Sequence, residues 1–435
     1  MGRFIQNEVA CFLRCSTFCP ITGRSGHAVI KHRASSRKEN RMPGLFDPLK
    51  LRGVALRNRI GVSPMCQYSS VDGFVNNWHL VHLGSRAVGG AGLVVTEGTA
   101  VVPDGRITPS DLGLWNDAHI AGHRELVRFI AAQGAVPALQ LAHAGRKASR
   151  VPPWESDPGQ TQGRPLTISE GGWQPLGASS IAFDQGYTIP HELSVSGIAD
   201  IVESFALAAQ RAAEAGYEWI EVHGAHGYLL HSFNSPISNK RIDAYGGSLE
   251  GRCKITRAVA RAIRKVWPDN RVLAFRLSFT DWVDGGWNTD DTVQLARWLK
   301  EDGVDLIDVS SGGGVPRPRI PVGPGYQVPG AAAVRQGASI PVAAVGLIDK
   351  AEQAEFIVRE GSADVVMLAR EMLRDPYWPL RAAVELQRCE AARMPVPYNS
   401  AWGHLGDFSF DPITAPRITD SGIDRVDGSR RNTLV

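Results

Sequence analysis

The sequence of 435 residues is short of several things, and each shortage removes a class of protein. No apolar run approaches the roughly 20 residues that a helix needs to cross a bilayer. The formal charge is only +3, too small at this length to argue for nucleic acid or an anionic membrane surface as a partner. The six cysteines are too scattered for a disulfide framework. Cys66, Cys253 and Cys389 lie far apart, which suits a reducing compartment, here read as the cytoplasm. No Gly-x-Gly-x-x-Gly follows the first strand candidate. Ile60-Gly61-Val62-Ser63-Pro64-Met65-Cys66 has no turn built for a pyrophosphate, which argues against an open, doubly wound dinucleotide-binding sheet.

Acidic residues are scarce at the N-terminus. Residues 1–41 hold eight Lys/Arg against Glu8 and Glu39, with no strand or helix period. Residues 1–44 are read as a basic, disordered leader, or as an over-long start ahead of Met42, in preference to a targeting peptide. The four-residue spacing of Cys11, Cys15 and Cys19 is not taken as a metal site. Residues 403–435 are polar and loosely patterned and are read as a flexible tail. That leaves 45–402 as one folded domain, and 43% hydrophobic content is enough to give it a core.

Within that domain, β-branched apolar runs alternate with helical patterns. The strand candidates are residues 60–63, 93–97, 136–141, 219–223, 272–277, 306–310, 341–345 and 365–368, eight in all. Helical stretches are expected at 117–133, 196–215, 249–266, 290–301 and 349–360, the last with Asp349 as its N-cap. Gly216, Gly303 and Gly361 each stand between a helix and the next strand, as tight αβ turns require. Nearly all-apolar strands, each followed by a helix, predict an α/β fold of the (β/α)₈ barrel type. One connection, 143–192, is far longer than the rest and rich in proline and glycine, the mark of a lid or binding segment.

A (β/α)₈ barrel carries its site at the C-terminal ends of its strands. Reading those ends in turn gives Ser63 to Tyr68, Glu97-Gly98-Thr99, and Gln140 followed by His143 to Lys147. The fourth gives Glu221-Val222-His223-Gly224-Ala225-His226-Gly227-Tyr228. The rest give Arg276, Ser310-Ser311-Gly312, Gly346, and Ala369-Arg370. Every strand ends in a polar or small group. Gly346 and Ala369-Arg370 occupy the usual phosphate position after strands seven and eight. One phosphate site without a dinucleotide turn suggests a mononucleotide cofactor. Two imidazoles can donate to a polarised oxygen and a phenol can give up a proton, which together would serve reduction of an activated double bond. His223 and His226 also admit a metal-pair reading at i, i+3, but no third ligand stands at a fixed nearby spacing, so no metal is expected. Cys66 admits the reading of a small buried hydrophobe.

Taken in order, these pieces resemble the old yellow enzyme family of FMN-dependent oxidoreductases, in its thermophilic-like bacterial branch. The resemblance rests on Arg57-Asn58-Arg59, Ser63-Pro64-Met65-Cys66 with Tyr68, Gly105-Arg106-Ile107 and the run from Gln140 to Lys147. It continues through His223-x-x-His226-Gly227-Tyr228, the stretch Ser238 to Ser248, and Arg370-Glu371-x-Leu373-x-Asp375-Pro376. It implies an NADPH- or NADH-driven reductase of enones, nitro compounds or quinones that works as a homo-oligomer, a dimer or tetramer. It implies FMN held by Ser63, Pro64, Met65, Cys66, Gly98, Gln140, Arg276, Gly346, Ala369 and Arg370. Cys66 would tune the flavin, His223 and His226 would bind the substrate oxygen, Tyr228 would deliver the proton, and Tyr68 and Lys147 would flank the substrate. Ser238 to Ser248 reads as a structural brace.

The chain departs from the family pattern at three places. Gly98-Thr99-Ala100 replaces the more common Ala-Ser-Ala, Ala369 replaces a glycine, and Ser400 stands where some members lend an arginine to a neighbouring subunit, with Trp402 nearby. Other flavin-barrel chemistry such as N-demethylation, a metal-dependent hydrolase built on His223 and His226, and a flavin-binding scaffold without turnover stay open as alternatives.

Overall fold

The apolar runs spaced along the chain meet as eight parallel strands: β1 (Ile60–Val62), β2 (Leu93–Ala100), β3 (Val136–Ala142), β4 (Trp219–Gly224), β5 (Val272–Ser278), β6 (Leu306–Ser310), β7 (Val342–Ala344) and β8 (Val365–Leu368). Each pairs with the next, and β8 returns to β1 to close the expected barrel. This is a computed structural model that describes residues 42–156 and 163–411. The leader through residue 41, with its three cysteines, and residues 412–435 lie outside the described residues.

Around the barrel run α1 (Asn77–Val88), α2 (Ile120–Ala132), α3 (Val195–Ala215), α4 (Leu249–Val266), α5 (Thr289–Glu301), α6 (Val328–Ala338), α7 (Ala351–Arg359) and α8 (Trp378–Glu385). Their ends follow local chemistry. The Ser194 hydroxyl accepts the Gly197 N–H at 3.0 Å to start α3, and Gly216, at φ +98°, ends it in the left-handed region. Two expectations need correction. Asp349 does not cap α7: Lys350 is the N-cap and makes no side-chain bond, while the Asp349 carbonyl accepts the Trp378 indole N–H at 2.9 Å. The stretch from Asp117 opens as a 3₁₀ turn, Asp117–His119, capped by Asn116, before α2 begins.

Alternate strand residues fill the lower barrel. Leu93 and Val95, Val136 and Ala138, Val272 and Ala274, Ala343 and Val345, and Val365 and Met367 form one buried cluster, as a period of two demands. A hairpin that the sequence pattern did not announce, Leu49–Leu51 with Val54–Leu56, adds Val54 and Leu56 to the same cluster and plugs the bottom. Above this apolar plug, the inward positions turn polar: Gln140 on β3, Glu221 on β4, Arg276 on β5 and Asp308 on β6, all buried. The cavity lies beyond them.

The Arg57-Asn58-Arg59 motif is a staple, away from the cavity. Arg57 donates to the carbonyls of Ala87, Ala91 and Gln133, Asn58 to that of Gly90, and Arg59 to that of Asp364. The long β3–α3 connection is tied down by a two-stranded pairing of Leu176–Gly177 with His191–Glu192. Arg241 donates to the carbonyls of Ala178 (3.1 Å) and Leu193 (2.7 Å) and pairs with Asp243. The Ser238 to Ser248 stretch therefore braces that loop.

Order continues past residue 402, against the expected start of a loose tail. Phe408 is buried, and Ser409–Asp411 pairs in parallel with Arg393–Pro395. Among the described residues, no helix is long and apolar enough to cross a membrane.

Candidate active site

The C-terminal rim of the barrel opens into a cavity with about 690 Å³ of space free of protein atoms, its mouth included. Of the residues singled out from the sequence, Ser63, Pro64, Cys66, Gly98, Gln140, His223, His226, Tyr228, Arg276 and Ala369 line it. Tyr68 and Lys147 stand just behind the wall. Burial, with Cys66 and Tyr228 close by, holds the Tyr68 phenol well above the ordinary tyrosine range. The Lys147 ammonium lies 5.2 Å from the centre of the Tyr228 ring. Met65, Gly346 and Arg370 do not reach the cavity wall. The wall also holds Ala100, Gly105, Ile107, Asp111, Ala142 and Ala144, which were not assigned from sequence.

One side of the cavity is made by the β4 turn. His226 sits at φ +59° and Gly227 at φ +75°, a left-handed pair that a non-glycine residue adopts only at a cost of ~1–3 kcal/mol. A Cβ on Gly227 would lie 2.1 Å from the Gly313 carbonyl oxygen, so glycine is required there. The Gly227 N–H donates to His231 Nδ1 at 2.8 Å, and His231 Nε2 lies 3.2 Å from Asp281. A buried His–Asp pair thus holds the turn that presents Tyr228.

His223 Nε2 and His226 Nδ1 lie 3.4 Å apart, close enough to converge on a single oxygen. His223 Nδ1 accepts the Ala225 N–H at 3.4 Å, which assigns the ring proton to Nε2. His226 Nε2 lies 2.7 Å from the Ser310 hydroxyl. The Ser310 hydroxyl also reaches Gln327 Oε1 at 3.3 Å; where Ser310 donates to His226 instead, the His226 proton sits on Nδ1 and faces the cavity. Burial, with the Arg276 and Lys147 cations nearby, holds both imidazoles well below the ordinary histidine range, so they are neutral N–H donors. Among the described residues, no group of three His, Cys, Asp or Glu side chains could hold a metal ion, and the metal-pair reading loses its third ligand.

Tyr228 packs edge-on against His223, with ring centres 4.9 Å apart. Burial, with Cys66 and Asp111 close by, pushes its phenol well above the ordinary tyrosine range, so it keeps its proton at neutral pH. Burial likewise raises the Cys66 thiol, reinforced by Asp111 and Glu97. Cys66 is a neutral thiol, not a thiolate. Burial pushes Asp111 up to about 7, although its oxygens accept from Ile107 N (2.6 Å), Thr108 N (3.0 Å) and Thr108 Oγ1 (2.7 Å). Burial also lowers Lys147 to about 7. Lys147 Nζ donates to the carbonyls of His226 (2.9 Å) and Gly313 (3.2 Å).

The opposite end is built for a heteroaromatic edge. Arg276 Nη1 donates to Ser63 Oγ at 3.0 Å. Gln140 Nε2 donates to Glu221 Oε1 at 2.8 Å, which leaves the Gln140 carbonyl oxygen as the acceptor beside Gly98. A Cβ added at Gly98 would meet Gln140 Oε1 at 3.4 Å, Ala142 Cβ at 3.5 Å and Cys66 Sγ at 3.8 Å, so the glycine leaves a cradle one methyl deep. Ala369 has φ −108° at the start of the short helix Arg370–Arg374. Its backbone is therefore free of the strain that would have demanded glycine there. A flat ring system with an amide-like edge fits this donor and acceptor set. Trp402 packs edge-on against Phe408 of its own chain at 6.2 Å.

The family model described as the NADH:flavin oxidoreductase / NADH oxidase family matches residues 44–388. The chain is similar to the NADPH dehydrogenase of Halalkalibacterium halodurans, 46% identical over 360 residues that span 82% of this chain and 98% of that protein. It is similar to the NADPH dehydrogenase of Bacillus licheniformis, 47% identical with the same coverage. A solved structure of morphinone reductase in complex with tetrahydroNAD superposes with a TM-score of 0.65 at 26% identity, covering 86% of this chain and 100% of that one. A barrel whose rim carries two histidines, a buried phenol and an open cavity, matched over most of its length, belongs to the NADH:flavin oxidoreductase / NADH oxidase family.

Proposed function

We propose that this oxidoreductase reduces the activated C=C bond of α,β-unsaturated carbonyl or nitro compounds, with FMN as cofactor and NADPH or NADH as reductant. The observation that carries the reading is the convergence of His223 Nε2 and His226 Nδ1, 3.4 Å apart, on the wall that also holds Tyr228. When bound, the flavin supplies a hydride for the β carbon. Gln140, Arg276, Ser63 and the backbone around Gly98 would hold its ring edge, and Ala369 would lie toward its phosphate end.

The chain's own groups do the rest. The two imidazole N–H groups grip the substrate oxygen and stabilise it more as it gains enolate character than in the ground state. The Arg276 and Lys147 cations add to the positive field there. Tyr228 keeps its proton until the α carbon becomes basic, then donates it as a general acid. Cys66, a neutral thiol on the cavity wall, would tune the ring from there. Tyr68 and Lys147 close the substrate side.

Nicotinamide would occupy the same wall before the substrate does, which gives ping-pong turnover; morphinone reductase, a solved neighbour, binds a nicotinamide analogue. Cys66, Cys253 and Cys389 are free thiols, which suits a cytoplasmic setting. The working form is proposed to be a homo-oligomer whose cavities are each complete within one chain. The decisive experiment is anaerobic: NADPH or NADH should bleach the yellow protein, and an enone, nitroalkene or quinone should restore the colour with a stoichiometric reduced product. Bleaching of the oxidised yellow protein by an N-methyl amine itself, with release of the demethylated amine and no alkene reduced, would replace this reading with N-demethylation.

A further inference from the structure

Two buried carboxyl groups lie beneath the cavity, and the chemistry above does not use them. Glu221 on β4 and Asp308 on β6 are 2% and 0% exposed. They share the inward polar layer with Gln140 and Arg276. Register places Gln140 beside Glu221 and Arg276 beside Asp308. Glu221 Oε1 accepts from Gln140 Nε2 at 2.8 Å, and Arg276 Nε lies 3.4 Å from Asp308 Oδ2. Neither Asp308 oxygen accepts a hydrogen bond from a fixed donor. Two orphaned carboxylate oxygens in a dry barrel are costly. The Glu221 side chain interacts with Asp308, so a proton on Glu221 would supply the missing donor.

We propose that Glu221 and Asp308 hold one proton between them, and that this pair sets the hydrogen-bond polarity of Gln140 and the net charge behind Arg276 at the edge of the flavin. The proposal rests on the reading that Gln140 and Arg276 contact the FMN ring. Glu221 is a positioning residue. Its unprotonated oxygen fixes the Gln140 amide so that the carbonyl, not the NH₂, faces the cavity, which selects an N–H-bearing ring edge. With Glu221 protonated, one carboxylate balances one guanidinium and the layer is neutral. When Glu221 ionises, the layer carries a net negative charge beneath the ring and disfavours adding electrons to it. The groups facing Glu221 are Gln140 from β3, Arg276 from β5 and Asp308 from β6, with His223 two residues along its own strand. Burial first, then Asp308, pushes Glu221 up to about 8, against the pull of Arg276. Asp308 is raised as well, by burial, with Arg276 and the Glu221 proton opposing.

The test combines two measurements on the FMN-loaded protein. Infrared spectroscopy should show a protonated carboxylic acid at neutral pH that titrates away near pH 8 and is missing in Glu221→Gln. The midpoint potential of the bound flavin, followed against pH, should change slope over the same range. Glu221→Gln mimics the protonated acid, accepting from Gln140 and donating to Asp308. It should retain FMN and lose that change of slope. Asp308→Asn removes the neighbouring negative charge, so both the infrared titration and the change of slope should move to lower pH. An acid band that persists in Glu221→Gln, or a slope change untouched by both substitutions, would overturn the shared proton. A carboxyl that titrates as expected while the potential ignores it would overturn the coupling, and with it the placement of the ring edge on Gln140 and Arg276.

Discussion

Replacing Tyr228 with phenylalanine separates the two halves of turnover. The substitution removes one hydroxyl and keeps the ring. The packing against His223, at 4.9 Å between ring centres, and the Lys147 contact at 5.2 Å therefore stay. Stability should change by less than about 1 kcal/mol. The loss falls on proton delivery. General acid catalysis by a positioned side chain contributes roughly 10²–10⁴-fold, which is about 3–5 kcal/mol of barrier. Reduction of the flavin by nicotinamide needs no proton from Tyr228 and should keep its rate within about twofold. The assay is stopped-flow absorbance of the flavin, with NADPH in one syringe for the reductive half and an enone in the other for the oxidative half. Equal loss in both halves would mean that Tyr228 orders the cavity and does not donate a proton. Unchanged rates in both would mean that solvent or another group protonates the α carbon.

Three further outcomes follow from the same geometry. His223→Ala should weaken binding of a phenol-type ligand by roughly 10- to 100-fold, the worth of a hydrogen bond to a charged oxygen; an unchanged affinity in a flavin difference titration would contradict its role. Gly98→Ala places a methyl in ordinary contact with Gln140, Ala142 and Cys66 and should raise the melting temperature slightly by restricting the unfolded chain, while reducing turnover of bulky more than of small enones. A large loss of FMN would show that the cradle cannot spare the space. Burial pushes Lys147 down to about 7, against an ordinary lysine value of 10.5, so the unfolded chain binds more protons between those values. Stability from this site is lowest at and below pH 7 and recovers as pH rises toward 10.5, by an amount on the order of 4 kcal/mol. Urea denaturation of the wild type and Lys147→Met at about pH 6.5 and about pH 9.5 should therefore show the wild type gaining on the variant at the higher pH; a constant gap would mean that Lys147 is not desolvated.

Much of the site was legible because each part is a local signal. β-branched runs of about five residues, a left-handed glycine after a helix, and the His223-x-x-His226-Gly227-Tyr228 turn all speak within a few positions of themselves. Asp111 was not legible. Its only local hint is that it follows Ile107 by four residues, and its place on the cavity wall depends on how the β2–α2 loop folds back. The Asp349 cap failed because the helix starts one residue late for it, with Lys350 at the N-cap, and the Trp378 indole binds the Asp349 carbonyl from the β8 connection, a contact with no sequence period. The hairpin at Leu49–Leu51 and Val54–Leu56 is too short for a pattern to announce. The placement of Gly346 and Arg370 off the cavity wall depends on how far the β7 and β8 loops project, which spacing along a chain does not encode.

The sequence by itself determined the barrel, the order of its strands and the rim on which chemistry collects, because a parallel strand buried on both faces must be apolar and its end is where polarity resumes. It also determined which turn carries the two imidazoles and the phenol. Tertiary structure alone decided the protonation of that turn and of the layer beneath it. Ser310 reaches His226 across 84 positions, Gln140 reaches Glu221 across 81, and Asp308 meets Arg276 from the next strand. Those partners set which nitrogen or oxygen holds each proton. Their effect depends on distance in a dry interior, which only closure of the barrel brings about.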